Sequence, residues 1–221
     1  MASTDTAPRP AVDVSIVIPM HNEQDNVAPL CQELIEVMDA GRLTYEALLV
    51  DDGSRDRTVE RLWETVGDDP RFIIIELTRN FGQTAALAAG IENAVGRVIV
   101  PMDGDLQNDP HDIEAMVARL DEPPGCDVVS GWRKQRHDTF LTRRLPSMIA
   151  NTIIGKITGV DIHDFGCTLK AYRREVLEDV KLYGEMHRFM PALTTWRGST
   201  VREMVVNHRP RLHLGRRQRL R

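Results

Sequence analysis

Three oxygen-bearing side chains stand at alternate positions in the segment MDGDLQNDP, residues 102–110: Asp103, Asp105 and Gln107, with Asp109 two further on. The segment follows the apolar run VIVPM. Carboxylates this close repel one another and desolvate poorly. Either the loop is wet or a cation offsets the charge. If the segment stays extended, spacing of two points all three side chains the same way. All are hard oxygen donors, which suit Mg²⁺ or Mn²⁺ and leave positions for water and phosphate oxygens. No histidine or cysteine sits among them, so zinc is disfavoured. The plainer alternative is a solvated turn after a buried strand.

Two carboxylates do not neutralise a divalent cation together with two phosphates, so basic groups must come from elsewhere. The second half of the chain supplies candidates. Arg133, Lys134, Arg136, Arg143 and Arg144 form one cluster. No acid follows Glu203, while Arg209, Arg211, Arg216, Arg217, Arg219 and Arg221 crowd the tail. The net charge of −5 argues against a nucleic-acid partner held by bulk charge. The late basic excess suits an anionic ligand or an anionic membrane surface.

The elements that would position these groups alternate regularly. VSIVIPM (14–20) reads as a buried strand, and Asn22 as the cap of a helix over 24–40 whose apolar side carries Val27, Leu30, Leu34, Ile35 and Val37. EALLVDDGS is a second strand, TVERLWETV a helix, RFIIIELT a third strand and TAALAAGIENAV a helix of small residues. RVIVPMD is a fourth strand, HDIEAMVARLDE another helix and CDVVSGW a further strand. HDFGCTLKAYRREVLEDV gives an acid in a turn, a short strand and the start of a helix. This β-α-β-α order predicts an α/β fold with a mostly parallel sheet between helices. In such sheets the ligand crevice lies beyond the carboxyl ends of the strands. Four polar groups fall there: Pro19 to Glu23, Asp51 with Asp52, Arg79 with Asn80, and Asp103 to Gln107.

Residues 1–12 read as a disordered lead without an apolar signal segment. RRLPSMIANTIIGKITGV (143–160) reads either as a core helix or as one lying on a membrane surface with its basic residues at the headgroups. Cys31, Cys126 and Cys167 are far apart and show no disulfide or zinc spacing, which fits a reducing cytosol. Neither GxGxxG nor GxxxxGK[ST] occurs, which argues against a dinucleotide-dependent dehydrogenase. The seven histidines are scattered, and His163 beside Asp164 reads as a turn pair before it reads as a dyad.

VSIVIPMHNEQDNV, LLVDDGSRDRT, LTRNFGQTAALAAGI, VIVPMDGDLQNDP, VVSGWR and DFGCTLKAYRREV, in this order, closely resemble the family 2 inverting glycosyltransferases of GT-A fold. Within these, the closest likeness is to the bacterial polyprenyl-phosphate glycosyltransferases and dolichol-phosphate mannose synthase. The resemblance covers about residues 14–211. It implies one catalytic domain over 13–211, with a nucleotide-binding part to about 132 and an acceptor part from 133, followed by a basic tail over 212–221. It implies that Pro19, Asn22 and Glu23 form the first nucleotide-contact loop and that Asp51, with Asp52 and Ser54 beside it, reads the base. Arg79, Asn80 and Gln83 would flank the nucleotide and diphosphate. Asp103 and Asp105 would be the metal-binding DxD, with Gln107 an extra ligand, and Arg133 a phosphate-binding arginine. Asp164 would be the acid close to the acceptor. Arg209 or Arg211 would close over the diphosphate.

The implied reaction moves a sugar from a nucleotide sugar, UDP preferred over GDP-mannose, to a polyprenyl phosphate at the cytoplasmic face of a membrane. A homo-oligomer is compatible with this reading. Related tails commonly run HRPRxxGxSKYG into two membrane-spanning helices, whereas HRPRLHLGRRQRLR loses the later part. This departure leads to the expectation of a core or truncated form of a spanning relative, or of a peripherally attached protein. Two alternatives follow. One is a polysaccharide or other glycan acceptor, disfavoured because no QxxRW occurs. The other is an inactive nucleotide-sugar-binding or membrane-adaptor protein, disfavoured by the intact Asp103, Asp105 and Gln107.

Overall fold

The computed structural model describes residues 11–134 and 162–210, apart from 179, 181, 183 and 185. The expected helix over 143–160, Arg211, the basic tail and nearly all of the lead lie outside the described residues.

The chain runs β1 (Val14–Met20), α1 (Val27–Ala40), β2 (Tyr45–Asp51), α2 (Thr58–Val66), β3 (Phe72–Glu76), α3 (Gln83–Asn93), β4 (Val98–Pro101), α4 (Asp112–Asp121), β5 (Val128–Trp132), β6 (Lys170–Arg173), α5 (Met190–Thr195) and β7 (Val201–Val205). Among the described residues the strands form one sheet in the order β3-β2-β1-β4-β6-β5-β7. β3, β2, β1 and β4 are parallel. β6 runs antiparallel between β4 and β5, and β7 lies parallel to β5.

The apolar runs of the first strands follow from burial on both faces. On β1, Ile16 and Ile18 pack with Leu30 and Leu34 of α1, Leu62 of α2 and Met116 of α4. Val17 points the other way, against Leu48, Val50 and Ala86 and Leu87 of α3. Each fully buried Leu or Ile contributes roughly 1.5–3 kcal/mol. α3 approaches closely because it is built of small residues. A Cβ on Gly90 would stand 2.2 Å from Val17 Cγ1, so a larger residue there would force α3 off the sheet.

The structure changes four local expectations. α1 begins at Val27, and Asn22 does not cap it. Asn22 instead adopts φ +55°, donates its backbone N–H to Ser54 Oγ and accepts the Arg55 N–H on Oδ1. REV after β6 forms a single 3₁₀ turn, Arg174–Val176, in place of the longer helix expected. β7 was not foreseen, because VREMV carries two charges and is mostly half-buried. The segment after β4 turns through Gly104 and Asp105, with Leu106 at φ +65°. The extended geometry that would align Asp103, Asp105 and Gln107 is therefore absent.

Candidate functional site

The four polar strand ends are joined side by side by hydrogen bonds. The loop after β1 meets that after β2 through Asn22 N to Ser54 Oγ, 2.9 Å, and Asp52 N to Met20 O, 2.8 Å. The loop after β2 meets that after β3 through Asp52, whose two oxygens accept the N–H groups of Phe81 and Gly82 at 2.7 and 2.9 Å. Gly53 lets these loops touch. At φ +62° its added Cβ would lie 2.3 Å from the Arg79 carbonyl carbon. The loop after β3 meets that after β4 through Gln83 Nε2 to Asp103 Oδ1, 2.9 Å.

Within this edge, Asp51 and Asp52 divide their work. Asp52 is consumed in holding the 79–82 loop. Asp51 is buried at the end of β2, and its Oδ2 accepts the Ser54 N–H at 2.9 Å. Its Oδ1 is buried without a hydrogen-bond partner among the described residues. A buried carboxylate oxygen without a donor is costly, and a ligand N–H would relieve it. Glu23 is held in its loop, its N–H donating to Thr58 Oγ1 and its Oε2 accepting from Asn26. The Arg79 guanidinium lies over the exposed Phe81 ring, 4.7 Å from the centroid. Pro19 sits in β1 opposite Val50.

The acidic loop is oriented from two directions. Asp103 Oδ2 accepts from Thr168 Oγ1 at 2.7 Å while Oδ1 accepts from Gln83. Each carboxylate oxygen carries a second lone pair for a cation. Asp105 Oδ1 accepts the Gln107 N–H at 3.2 Å. Gln107 Nε2 donates to Arg209 O, which leaves its amide oxygen to serve as a ligand, and Arg209 N donates back to Gln107 O. Next to this pair, Asn108 bridges to His208 in antiparallel fashion. Residues 207–209 thus form a strap across the loop. Two carboxylates and one amide oxygen fit a hard divalent cation.

The strap is pinned by charge. Arg209 Nη1 lies 2.6 Å from Glu33 Oε1, and Nη2 lies 2.7 Å from Asp109 Oδ1. Glu33, Asp109 and His111 place ligand atoms within 4.8 Å of one another, a spacing that could hold a metal. The Arg209 guanidinium already compensates both carboxylates, so we read this cluster as a latch. Burial works against the Asp109 carboxylate, but hydrogen bonds from Asn207, His111 and Arg209 outweigh it and hold its pKa at about 2, below the ordinary 3.8. Its ionisation stabilises the fold fully above 3.8, and that contribution is lost as pH falls through about 2. Between these limits the melting temperature is expected to fall with acid, and to fall less steeply in Asp109→Asn, as followed by thermal unfolding at stepped pH.

At the far side of the site Arg133 and Asp164 form a two-point ion pair, Nε to Oδ2 at 2.8 Å and Nη2 to Oδ1 at 3.0 Å. Their side chains are 17% and 3% exposed. Burial disfavours the Arg133 charge, but the hydrogen bonds and charge of Asp164 outweigh this and raise its pKa above the ordinary arginine value. Glu203 of β7 supports the pair by accepting the Asp164 N–H at 3.2 Å and the His163 N–H at 2.7 Å. His163 stacks on Trp132 with ring centroids 4.3 Å apart.

The structure therefore gathers Asn22, Asp51, Asp52, Gln83, Asp103, Asp105 and Gln107 along one polar edge. It places the Arg209 guanidinium on Glu33 and Asp109. Reading the sequence alone missed Thr168, Asn207, Glu33 and Glu203, each of which holds a site residue. Only Asn207 carried a signal, its place beside the HRPR segment.

The chain matches the glycosyl transferase family 2 pattern over residues 15–181 and belongs to that family. It is 47% identical over 209 residues to dodecaprenyl-phosphate galacturonate synthase of Rhizobium johnstonii, covering 93% of this chain and 62% of that protein. It is 40% identical over 208 residues to undecaprenyl-phosphate 4-deoxy-4-formamido-L-arabinose transferase of Pseudomonas fluorescens, covering 93% and 60%. The chain thus spans about 60% of the length of these relatives. Glucosyl-3-phosphoglycerate synthase of Mycobacterium tuberculosis, solved with Mn²⁺, UDP and phosphoglyceric acid, superposes with a TM-score of 0.68 at 19% identity, over 90% of this chain and 72% of that one. A Pyrobaculum calidifontis mannosyltransferase with GDP-Man and Mn²⁺ gives 0.64 at 20% identity, over 97% and 61%. The GT-A fold that the motifs imply is the fold observed.

Proposed function

We propose that the chain carries the catalytic domain of an inverting glycosyltransferase that moves a sugar from a nucleoside diphosphate, UDP preferred, to the phosphate of a polyprenyl lipid. The observation that carries this reading is the joined polar edge, which leaves Asp51 Oδ1 without a donor and orients Asp103 from both sides. The relatives named above act on dodecaprenyl and undecaprenyl phosphates by their names, which supports the acceptor class.

In this reading Asp51 accepts an N–H of the base, and Pro19, Asn22, Glu23, Arg79 and Asn80 line the nucleotide. Mg²⁺ or Mn²⁺ held by Asp103, Asp105 and Gln107 would supply Lewis-acid stabilisation of the departing diphosphate. An acceptor phosphate oxygen attacks the anomeric carbon, and the bond to the diphosphate breaks with its electron pair leaving on oxygen. A phosphate monoester has a second pKa of about 6, so the attacking oxygen is already anionic near pH 7. Asp164 then need not remove a proton. Its task is to hold Arg133, whose Nε and Nη2 it occupies, so that Nη1 faces the acceptor phosphate. Arg211 is the tail arginine left to reach the diphosphate, since the Arg209 guanidinium is engaged elsewhere.

No helix among the described residues is long and apolar enough to cross a membrane. The exposed Phe189 and Trp196 flank α5 and suit a lipid interface on the cytoplasmic side. The reading is tested by thermal-shift titration with UDP and GDP, each with and without Mn²⁺. A ligand that binds only the folded state raises the melting temperature by mass action. A Mn²⁺-dependent rise with one nucleotide is expected; no rise with either, in folded protein, would refute the donor site.

A further inference from the structure

Beside the acidic loop lies a separate cavity of about 240 Å³, bounded by α3, the 165–172 segment and the turn before α5, with Asp103 at its edge. Pockets that bury drug-sized ligands run to roughly 300–1,000 Å³. This one suits a single sugar ring better than a nucleoside diphosphate.

Lys170 and Tyr172 stand two apart on β6, share a face of the sheet and both line the cavity. Lys170 is 3% exposed and Tyr172 0%. Lys170 Nζ donates to the carbonyl oxygens of Phe165, at 3.3 Å, and Cys167. No carboxylate pairs with it among the described residues, although Asp164 and Asp103 lie close enough to favour its charge. Burial dominates and draws its pKa below the ordinary lysine value. The Tyr172 hydroxyl is buried with no hydrogen-bond partner among the described residues. A buried cation without a paired anion and a buried hydroxyl without an acceptor each destabilise the fold. One N–H of Lys170 and the O–H of Tyr172 remain to be satisfied. The same ligand group, a pair of anionic oxygens, meets both needs. The names of the relatives do not choose the sugar, since galacturonate carries a carboxylate and 4-deoxy-4-formamido-arabinose does not.

We propose that this cavity receives the donor's sugar ring and selects a hexuronate, whose carboxylate accepts from Lys170 Nζ and Tyr172 Oη. The inference rests on the nucleotide-sugar reading above. Its test is a set of thermal-shift titrations in Mn²⁺ with UDP, with UDP-galacturonate against UDP-galactose, and with UDP-glucuronate against UDP-glucose. At least one uronate is expected to bind about tenfold or more tighter than its neutral counterpart, the least expected of a hydrogen bond to a charged group. Lys170→Met removes that preference. Tyr172→Phe weakens it several-fold while the ligand-free melting temperature stays at or above that of the wild type, since the hydroxyl has no partner to lose. Should Lys170→Met not fold, the isosteric Tyr172→Phe carries the test. Equal binding of acidic and neutral sugars, with UDP still bound, overturns the inference and spares the donor reading. Failure of every UDP compound overturns both. A Lys170→Met variant that keeps the sugar preference but loses binding of farnesyl phosphate assigns the cation to the acceptor phosphate and also overturns the inference.

Discussion

Replacing Asp105 with Asn is expected to lower metal-dependent turnover on the order of 10³-fold, the upper range for removing one preorganised electrostatic contact from a transition state. The change is selective because of what Asp105 does locally. Its Oδ1 accepts the Gln107 N–H, and an Asn oxygen accepts the same bond. The charge is lost while this bond is kept. The ligand-free melting temperature should therefore move by no more than about 2 °C, the scale of an ordinary surface substitution. The Mn²⁺-dependent shift with UDP should vanish in the same variant. Unchanged turnover in the presence of Mn²⁺ would mean that the acids after β4 do not hold the cation. An inactive nucleotide-binding adaptor predicts that outcome from the start, because there is no turnover to lose.

Asp164→Asn should destabilise the fold by about 3 kcal/mol, the lower range for removing one partner of a buried ion pair. At roughly 2–4 °C per kcal/mol for a domain of this size, the melting temperature falls by about 10 °C. The cause is Arg133, which keeps its charge in a buried place after its counter-charge has gone. Arg133→Met combined with Asp164→Leu should recover most of the stability, because two apolar side chains leave no uncompensated charge. Activity should not recover, since Arg133 is the proposed contact to the acceptor phosphate. The pH dependence of the residual rate in Asp164→Asn should still follow the lipid phosphate near its pKa of about 6. Loss of that inflection would restore Asp164 to the role of base. A melting temperature unchanged in Asp164→Asn would show that the pair does not hold the fold.

The half of the fold from β1 to β5 is legible because β1, β2 and β4 are buried on both faces and the edge strand β3 is still an apolar run. VSIVIPM, ALLV, FIII and VIVP each read as an apolar run, and the helices between them carry the complementary stripe. The other half is harder. Nothing in KAYR says that β6 runs antiparallel between β4 and β5, because side-chain periodicity carries no strand direction. VREMV does not read as a strand, since its residues are mostly half-buried at the sheet edge beyond β5. At the site, the residue types after each strand were enough to locate the polar edge. The partners were not visible. Arg209 meets Glu33 across 176 positions and Thr168 meets Asp103 across 65, and no local pattern records such pairings. Alternate spacing does not align Asp103, Asp105 and Gln107, because the segment is not extended. Leu106 takes φ +65° and turns the loop, so the three do not follow one another along an extended segment.

The strap from Asn207 to Arg209 bears on how the protein is made. Gln107 leaves the ribosome well before Arg209, which follows it by 102 positions. At the roughly 5–20 residues per second of synthesis, the acidic loop exists for about 5–20 s without the segment that fixes it. β1 to β4 and their helices can pair during that interval, because their contacts lie within the part already made. The polar edge therefore forms in outline early, and its acidic loop is secured only once residues 207–209 have been made. A chain cut before residue 207 would keep every strand of the sheet but leave the loop untied.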